Sequence, residues 1–250
     1  MKSFKVFISA VGVLCGCIVS QSFASVIFEE QFNQLDAGVW VRENVDGAQW
    51  NYSSNYGGTI TATSHTNFTN QYTDILSYKN DFADFIFSWK YMITNSGPYN
   101  DRRLVYFRSA QGSPSPSGYV VYIGADTPEA PQNWVAIHRL DPSLVGMSAS
   151  AAVTWQFNTW YNFELEASGY DFRLKVWQDG LEKPDTWLVE VTDTAAMYSE
   201  GSIGFGNFMH AGTYVDNILV ETIETPIPEP ASCFLTAVSI IAVGLKKLKK

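Results

Sequence analysis

The chain has 250 residues, a formal net charge of −9 and 46% hydrophobic composition, enough for one domain with a sizeable core. Its three cysteines, Cys15, Cys17 and Cys233, fall near the two ends, so the middle of the chain can form no disulfide, thiolate metal site or cysteine nucleophile. The acidic balance argues against nucleic acid as a partner, which would need a basic face.

At the amino end, Lys2 and Lys5 precede an apolar run from Val6 to Val19, and Ser22, Phe23 and Ala24 offer small residues before a cut at Ser25. This is the layout of a secretory signal peptide over residues 1–24 with Ala24 and Ser25 flanking the cleavage point. The run is shorter than the roughly twenty apolar residues of a comfortable bilayer span. A rival reading takes Leu14-Cys15-Gly16-Cys17 as a lipoprotein box with Cys17 lipidated.

From residue 25 to about 225 the chain reads as strands. Asp84–Met92 alternates Phe85, Phe87, Trp89 and Tyr91 against Asp84, Ser88 and Lys90, and Tyr161–Ala167 and Phe172–Gln178 alternate around the turn at Ser168–Asp171. Period-two alternation predicts a sheet with one buried face. Further strands are expected at Val26–Phe32, Thr59–Ala62, Asp74–Ser77, Leu104–Arg108, Tyr119–Ile123, Val135–Arg139, Leu188–Val191, Ser202–Asn207 and Tyr214–Val220. Turn residues such as Gly112–Gly118 and Gln178-Asp179-Gly180 separate them, and no segment between the two ends shows a long helical period. About a dozen short strands predict an all-β sandwich or jelly roll.

All eight tryptophans lie between the two ends. Sandwich cores consume aromatics, so rings in loops are the more informative ones. Trp50, Tyr52 and Tyr56 in the Gly47–Gly58 stretch, Tyr99 beside Asn100, Asp101 and Arg102, and Trp134 have the makeup of a sugar pocket: rings for the apolar faces of sugars, amides and charges for the hydroxyls. The histidines His65, His138 and His210 share no metal or relay spacing, so each reads as an ordinary surface or core residue. No catalytic residue is assigned.

The carboxyl end orders three elements. Pro226, Pro228 and Pro230 fall within five residues, an uncharged stretch follows over 231–245, and residues 246–250 contain four lysines. That order reads as rigid spacer, membrane segment and cytoplasmic anchor. Fifteen helical residues span only about 22 Å, short of the roughly 30 Å hydrocarbon core. Setting aside Lys2, Lys5, Glu229 and the four tail lysines leaves ten basic against twenty-four acidic residues, so the middle of the chain carries about −14.

Residues 226–250 resemble the PEP-CTERM sorting signal of Gram-negative bacteria: Pro228, Glu229 and Pro230 match its tripeptide, 231–245 its hydrophobic helix and 246–250 its basic end. The resemblance implies Sec export, a transient inner-membrane anchor, cutting by an exosortase, and release to the cell surface or extracellular matrix. The middle of the chain resembles the concanavalin A-like (laminin G/lectin-type) jelly rolls. The resemblance rests on Phe28–Asn33 with Trp40, on Trp160–Gly169 with Phe172–Trp177 and Asp179-Gly180, and on the closing pair Gly201–Phe205 and Tyr214–Val220. It implies an all-β, two-sheet sandwich over 25–225, flanked by the signal helix and the short hydrophobic helix.

Members of that superfamily bind glycans, hydrolyse them or serve as adhesive modules. The hydrolase reading needs two carboxylates flanking the scissile bond, and the sandwich glycosidases place them as Glu-x-Asp-x-(x)-Glu, a run this sequence lacks. Glu164 and Glu166 read as a solvated strand face, and Glu190 and Asp193 fall on opposite faces. Related jelly rolls also bind one structural calcium ion with a carboxylate on the final strand and carbonyls near the first. Asp216 matches that final-strand position, with Glu29, Glu30 and the carbonyls of Gly57 or Gly58 as further candidates. The expectation is an exported, non-catalytic, glycan-associated sandwich whose partner is extracellular polysaccharide. The alternatives are a polysaccharide-acting glycoside hydrolase or lyase, and a purely structural matrix component.

Overall fold

Phe85, Phe87, Trp89 and Tyr91 alternate with Ile86, Ser88 and Lys90 along one strand, and only the first four are fully buried. That pattern, repeated across the chain, makes a two-layer sandwich in which each strand turns one parity of side chains inward. The structure is a computed structural model that describes residues 24–43, 50–62, 75–94, 101–110, 117–125, 133–141, 143–208 and 213–223. The expected leader, the Pro228-Glu229-Pro230 motif, the 231–245 helix and the basic tail lie outside the described residues. Among the described residues no helix is long and apolar enough to cross a membrane.

Fifteen antiparallel strands are described. The eight-stranded sheet runs β13 (Val189–Thr192), β12 (Asp171–Gln178), β11 (Thr159–Ser168), β6 (Phe85–Ile93), β15 (Thr213–Glu221), β4 (Thr59–Ala62) and β3 (Trp50–Ser53), with β1 (Val26–Glu30) also pairing β15. The seven-stranded sheet runs β10 (Ser143–Ala152), β9 (Trp134–Asp141), β8 (Ser117–Ala125), β7 (Asp101–Ala110), β14 (Gly201–Phe208), β5 (Ile75–Phe82) and β2 (Trp40–Glu43). The one helical turn among the described residues is a 3-10 turn at Asn55–Gly57. All of this falls within a unit spanning Ala24–Ile223. The expected jelly-roll sandwich is thus the observed one.

Aromatic rings fill the space between the sheets. Trp89 stacks on Phe163 with centroids 5.1 Å apart, and Trp155 meets Tyr161 edge-on at 4.9 Å. The Trp155 indole finds the Gly124 carbonyl at 2.8 Å, tying the two sheets. Such pairs add about 1 kcal/mol each beyond the area they bury.

One end of the sandwich is closed by buried charge. A bulge in β7 between Phe107 and Ala110 puts Arg108 at φ 45, and its side chain is 1% exposed. Nε donates to the Ala83 carbonyl at 2.7 Å, Nη1 to the Gly169 and Tyr198 carbonyls, and Nη2 to Asp84 Oδ1 at 3.0 Å. Ala83 and Asp84 lead into β6 and Gly169 turns β11 into β12, so an arginine of one sheet fastens the other. The bulge needs glycine on both neighbouring strands. A Cβ on Gly118 would stand 2.5 Å from the Arg108 carbonyl oxygen, and one on Gly201 2.6 Å from its carbonyl carbon, with both glycines at positive φ. Burial lowers the Arg108 pKa, while Asp84 pulls it back up.

Beside it Asp193, which follows β13, is 3% exposed. It accepts from Tyr119 Oη at 2.8 Å on β8, from Arg139 on β9 and from the Ala195 amide at 3.1 Å. Burial alone would raise the Asp193 pKa, but these hydrogen bonds and the Arg139 charge outweigh it and hold the carboxyl below its ordinary value. A depressed carboxylate contributes stability above its unfolded value of about 3.9 and loses it as pH falls through the folded one. Asp193→Asn should therefore cost about 2–3 kcal/mol at pH 7. In urea titrations the gap from wild type should close as the pH is lowered below about 4; a gap constant with pH would refute the assignment.

Candidate functional site

The ring-bearing stretch from Trp50 to Tyr56 sends its three aromatics to three places. Trp50 is a strand residue, 1% exposed, with its ring 6.2 Å from Phe205 in the core. Its expected place in a sugar-binding loop is corrected: β3 pairs with β4 from Trp50↔Ala62 to Ser53↔Thr59, and the ring points between the sheets. Tyr52, 40% exposed, lines a shallow apolar cleft with Leu35, Ala37, Trp40 and Val41. Tyr56 stands on the outer face of the eight-stranded sheet beside Trp160 and Tyr214. Tyr99 and Asn100 lie outside the described residues. Asp101 and Arg102 open β7, opposite Ala125 and Gly124, and of their side chains nothing is described.

Trp134 opens β9 on the outer face of the seven-stranded sheet. A Cβ on Gly124, its cross-strand partner, would stand 2.8 Å from the indole, so the glycine is a flat seat for the ring. Tyr122 stacks on Trp134 with centroids 6.1 Å apart and 23° between planes, and His138 meets Tyr122 edge-on at 5.0 Å. Tyr106 occupies a similar seat over Gly206, where a Cβ would come within 2.7 Å of its ring. Leu104, Tyr106, Val120, Tyr122, Ala136 and Leu140 form a second buried cluster on this face, with Trp134 packed against it. Trp134 and His138 keep partly exposed rims.

Sequence reasoning missed Tyr106, Tyr122 and His138. Their strands read Leu104-Val-Tyr-Phe107, Tyr119-Val-Val-Tyr-Ile123 and Val135-Ala-Ile-His138, apolar at both parities. Such continuous runs signal a sheet covered on both faces. His138 is the one histidine among the described residues, since His65 and His210 lie outside them.

The calcium candidates do not all converge. Glu29 is exposed and its Oε1 takes the Gln31 amide at 3.0 Å. Glu30, the next residue of the strand, turns the opposite way and accepts from the Phe32 amide at 2.8 Å and the Trp40 indole at 3.4 Å. The two side chains therefore cannot share one ion. Asp216 occupies a break in the sheet edge: Val215 pairs with Ile60 of β4, Ile218 pairs with Glu30 of β1, and a bulge lies between Asp216 and Leu219. Its Oδ1 is buried without a hydrogen-bond partner among the described residues. Burial pushes the Asp216 pKa up, the Asn217 amide and Lys90 pull it down, and Glu30 adds a small upward push.

A Cβ on Gly58 would stand 2.5 Å from the Phe32 carbonyl oxygen, a close approach of two main chains. Gly57 closes the 3-10 turn before it at φ 92. A buried carboxylate oxygen with no hydrogen-bond partner among the described residues fits a hard cation in kind. Among the described residues no three His, Cys, Asp or Glu side chains gather to hold a metal.

The strand carboxylates are committed elsewhere. Glu166 bonds Arg173 and Glu164 bonds Lys183 on the outer face of the eight-stranded sheet, as expected for a solvated face. Asp193 is consumed by the buried seam.

Three solved structures are similar to this geometry. Carbohydrate-binding module CBM66 from Bacillus subtilis has a TM-score of 0.53 at 17% identity, covering 76% of this chain and 98% of its own. The VIP36 exoplasmic/lumenal domain in its Ca2+/Man3GlcNAc-bound form has a TM-score of 0.57 at 6% identity, covering 82% and 92%. The Lotus tetragonolobus seed lectin has a TM-score of 0.54 at 10% identity, covering 80% and 99%. At these identities the likeness is one of fold. No curated protein matches the chain. Among protein families, residues 27–221 match the 3-keto-alpha-glucoside-1,2-lyase-like domain, and by that match over most of its length the chain belongs to this family.

Proposed function

We propose that the chain is an exported, non-catalytic saccharide-binding sandwich of the cell surface or exopolysaccharide matrix. In this reading residues 1–24 direct Sec export, 25–225 form the binding domain, and 226–250 anchor the chain in the inner membrane until an exosortase cuts near Pro228-Glu229-Pro230. The observation that carries the binding function is the row Trp134–Tyr122–His138 on the outer face of the seven-stranded sheet. Across the buried Tyr122, the partly exposed rims of Trp134 and the His138 imidazole lie on one face, in a fold shared with lectins and a carbohydrate-binding module. Glycan-array binding by the Ala24–Ile223 unit is the test, and Trp134→Ala should weaken the strongest binding about tenfold, some 1.4 kcal/mol. No binding to any glycan, with the fold intact by circular dichroism, would leave only the structural matrix role.

The family description favours a second reading, a lyase acting on a 3-keto glucoside. A base would remove the proton at C2, acidified by the C3 ketone; the electron pair would form C1=C2 as the C1–O bond breaks, and the departing oxygen would take up a proton. His138 is the described residue suited to that base. The binding reading predicts that a 3-keto glucoside incubated with the protein releases no aglycone. Release that disappears in His138→Gln would establish the lyase.

The comparison with the Ca2+/Man3GlcNAc-bound VIP36 domain supports one structural calcium ion at the β15 bulge, held by Asp216 Oδ1 and main-chain oxygens near Phe32 and Gly58. Bound at about a hundred times its Kd, the ion would add about 2.7 kcal/mol. Chelation should lower the melting temperature of wild type by several degrees and leave Asp216→Asn unmoved. A wild-type melting point indifferent to chelator would refute the site.

A further inference from the structure

A second set of rings, on the opposite sheet from Trp134, centres on the exposed Tyr56. Tyr56 is 56% exposed yet sits at φ 57, a left-handed conformation that is uncommon and costly for a bulky side chain. Its ring stands edge-on to Trp160 at 6.0 Å and 88°, and to Tyr214 at 5.1 Å and 74°. Trp160 on β11 and Tyr214 on β15 are the two cross-strand partners of Met92 on β6, which is 1% exposed. The two rings therefore form a floor over the methionine, and Tyr56 is a wall standing on it. Asn55 Nδ2 donates to Tyr214 Oη at 3.4 Å, linking the strained turn to the floor.

Two residues along the strands, roughly 7 Å away, the same face turns polar. Asn162 is paired with Lys90 on one side and with Trp177 on the other. Lys90 Nζ lies 3.0 Å from Asp179 Oδ1, and Asn162 Nδ2 donates to that oxygen at 3.1 Å. Burial raises the Asp179 pKa, but its bonds to Lys90 and Asn162 outweigh that and keep it ionised. The Asp179 side chain is 39% exposed, so an oriented acceptor faces solvent.

Core packing does not account for this arrangement, because a strained backbone here holds a ring more than half in water. An aromatic floor and wall beside a fixed row of amide, ammonium and carboxylate complements a pyranose, which is apolar on its faces and ringed by hydroxyls. Lys90 and Asp179 neutralise each other, and the Asp216 carboxylate is the register partner of Lys90, so the row offers no spare positive charge to an acidic sugar.

We propose that the outer face of the eight-stranded sheet binds a neutral saccharide, its ring stacked on Trp160 and Tyr214 against the Tyr56 wall and its hydroxyls on Asp179 and Asn162. Four adjacent strands carry this face, from Trp177 on β12 to Tyr214 on β15, roughly 14 Å across, so it takes more than one sugar ring. The ligand class rests on the glycan-binding reading above; the site is separate from the Trp134 row.

Every described strand and core residue lies in the Ala24–Ile223 unit, which can be titrated with cellohexaose and maltohexaose while the eight tryptophan indole resonances are followed, assigned with Trp160→Phe and Trp134→Phe. The expected result is a saturable shift of the Trp160 and Trp177 signals that persists in Trp134→Ala. Tyr56→Asn, which suits a left-handed backbone, should weaken that binding about tenfold while the melting temperature holds or rises. Shifts confined to Trp134 would overturn this site and leave the glycan reading standing, whereas no shift for either sugar, with no hit on the array, would end both. A Tyr56→Asn variant that melts earlier but binds as wild type would show a purely structural tyrosine. Tighter binding of oligouronates than of either neutral sugar would overturn the ligand class.

Discussion

The buried guanidinium of Arg108 is the constraint around which the sandwich is arranged. A cation 1% exposed is tolerable only when every donor is met, and its partners come from the β11–β12 turn, the entry to β6 and the loop before β14. Those demands fix the relative position of the two sheets at that end. They also dictate sequence on strands that supply no hydrogen bond, because Gly118 and Gly201 must lack a Cβ for the bulge to exist. The guanidinium lies 5.4 Å from the centroid of Phe172, which packs in turn on Tyr119 at 4.5 Å and Phe107 at 5.2 Å. Tyr119 in turn delivers its hydroxyl to Asp193. With no cysteine between the chain ends, this polar seam does the locking that a disulfide would do in many exported domains.

The two sheets treat their outer faces differently, and that difference separates the two aromatic groups. On β7, β8 and β9 of the seven-stranded sheet the outer positions are mostly apolar, so Tyr106 and Tyr122 sit in a buried cluster while Trp134 and His138 keep exposed rims. In the eight-stranded sheet the outer positions are mostly charged or amide, with Glu164, Glu166, Arg173 and Lys90 in pairs. Rings on that face stand out against a polar background. Trp187 is the exception, covered by Arg173 at 4.7 Å and Lys175 at 4.6 Å. Its face is occupied by cations, whereas Trp160 and Tyr214 each meet the Tyr56 ring edge-on.

The fold was readable wherever one face of a strand meets the core and the other meets water. β6, β11 and β12 announce themselves by strict alternation, and β4 appears at its exact limits, Thr59–Ala62. β10 did not, because Ser143–Ala152 is rich in serine and alanine and has little contrast between its faces. β2 and β3 are four residues each, too short for a period to emerge, and so Trp50 read as a loop residue. The sites were harder for a different reason. Tyr56, Trp160 and Tyr214 converge only because β11, β6, β15 and β4 are neighbours, and the Asn55–Tyr214 bond joins residues 159 apart. Sequence could nominate Tyr56 as an exposed ring, but only register shows which rings share its face.

Rings on the outer faces of both sheets have a consequence that neither has alone. The sheets of a sandwich lie about 10 Å apart, so one small domain would present two sugar-binding surfaces facing opposite ways. They cannot close on the same short segment of polysaccharide. Two weak sites so arranged would gain little avidity for a short oligosaccharide but would join separate strands of a polymer, where linking multiplies effective concentration. A matrix protein working this way needs no high-affinity pocket. It needs rigid, outward-facing rings, and the Arg108–Asp193 seam supplies rigidity by holding the two sheets in register from within.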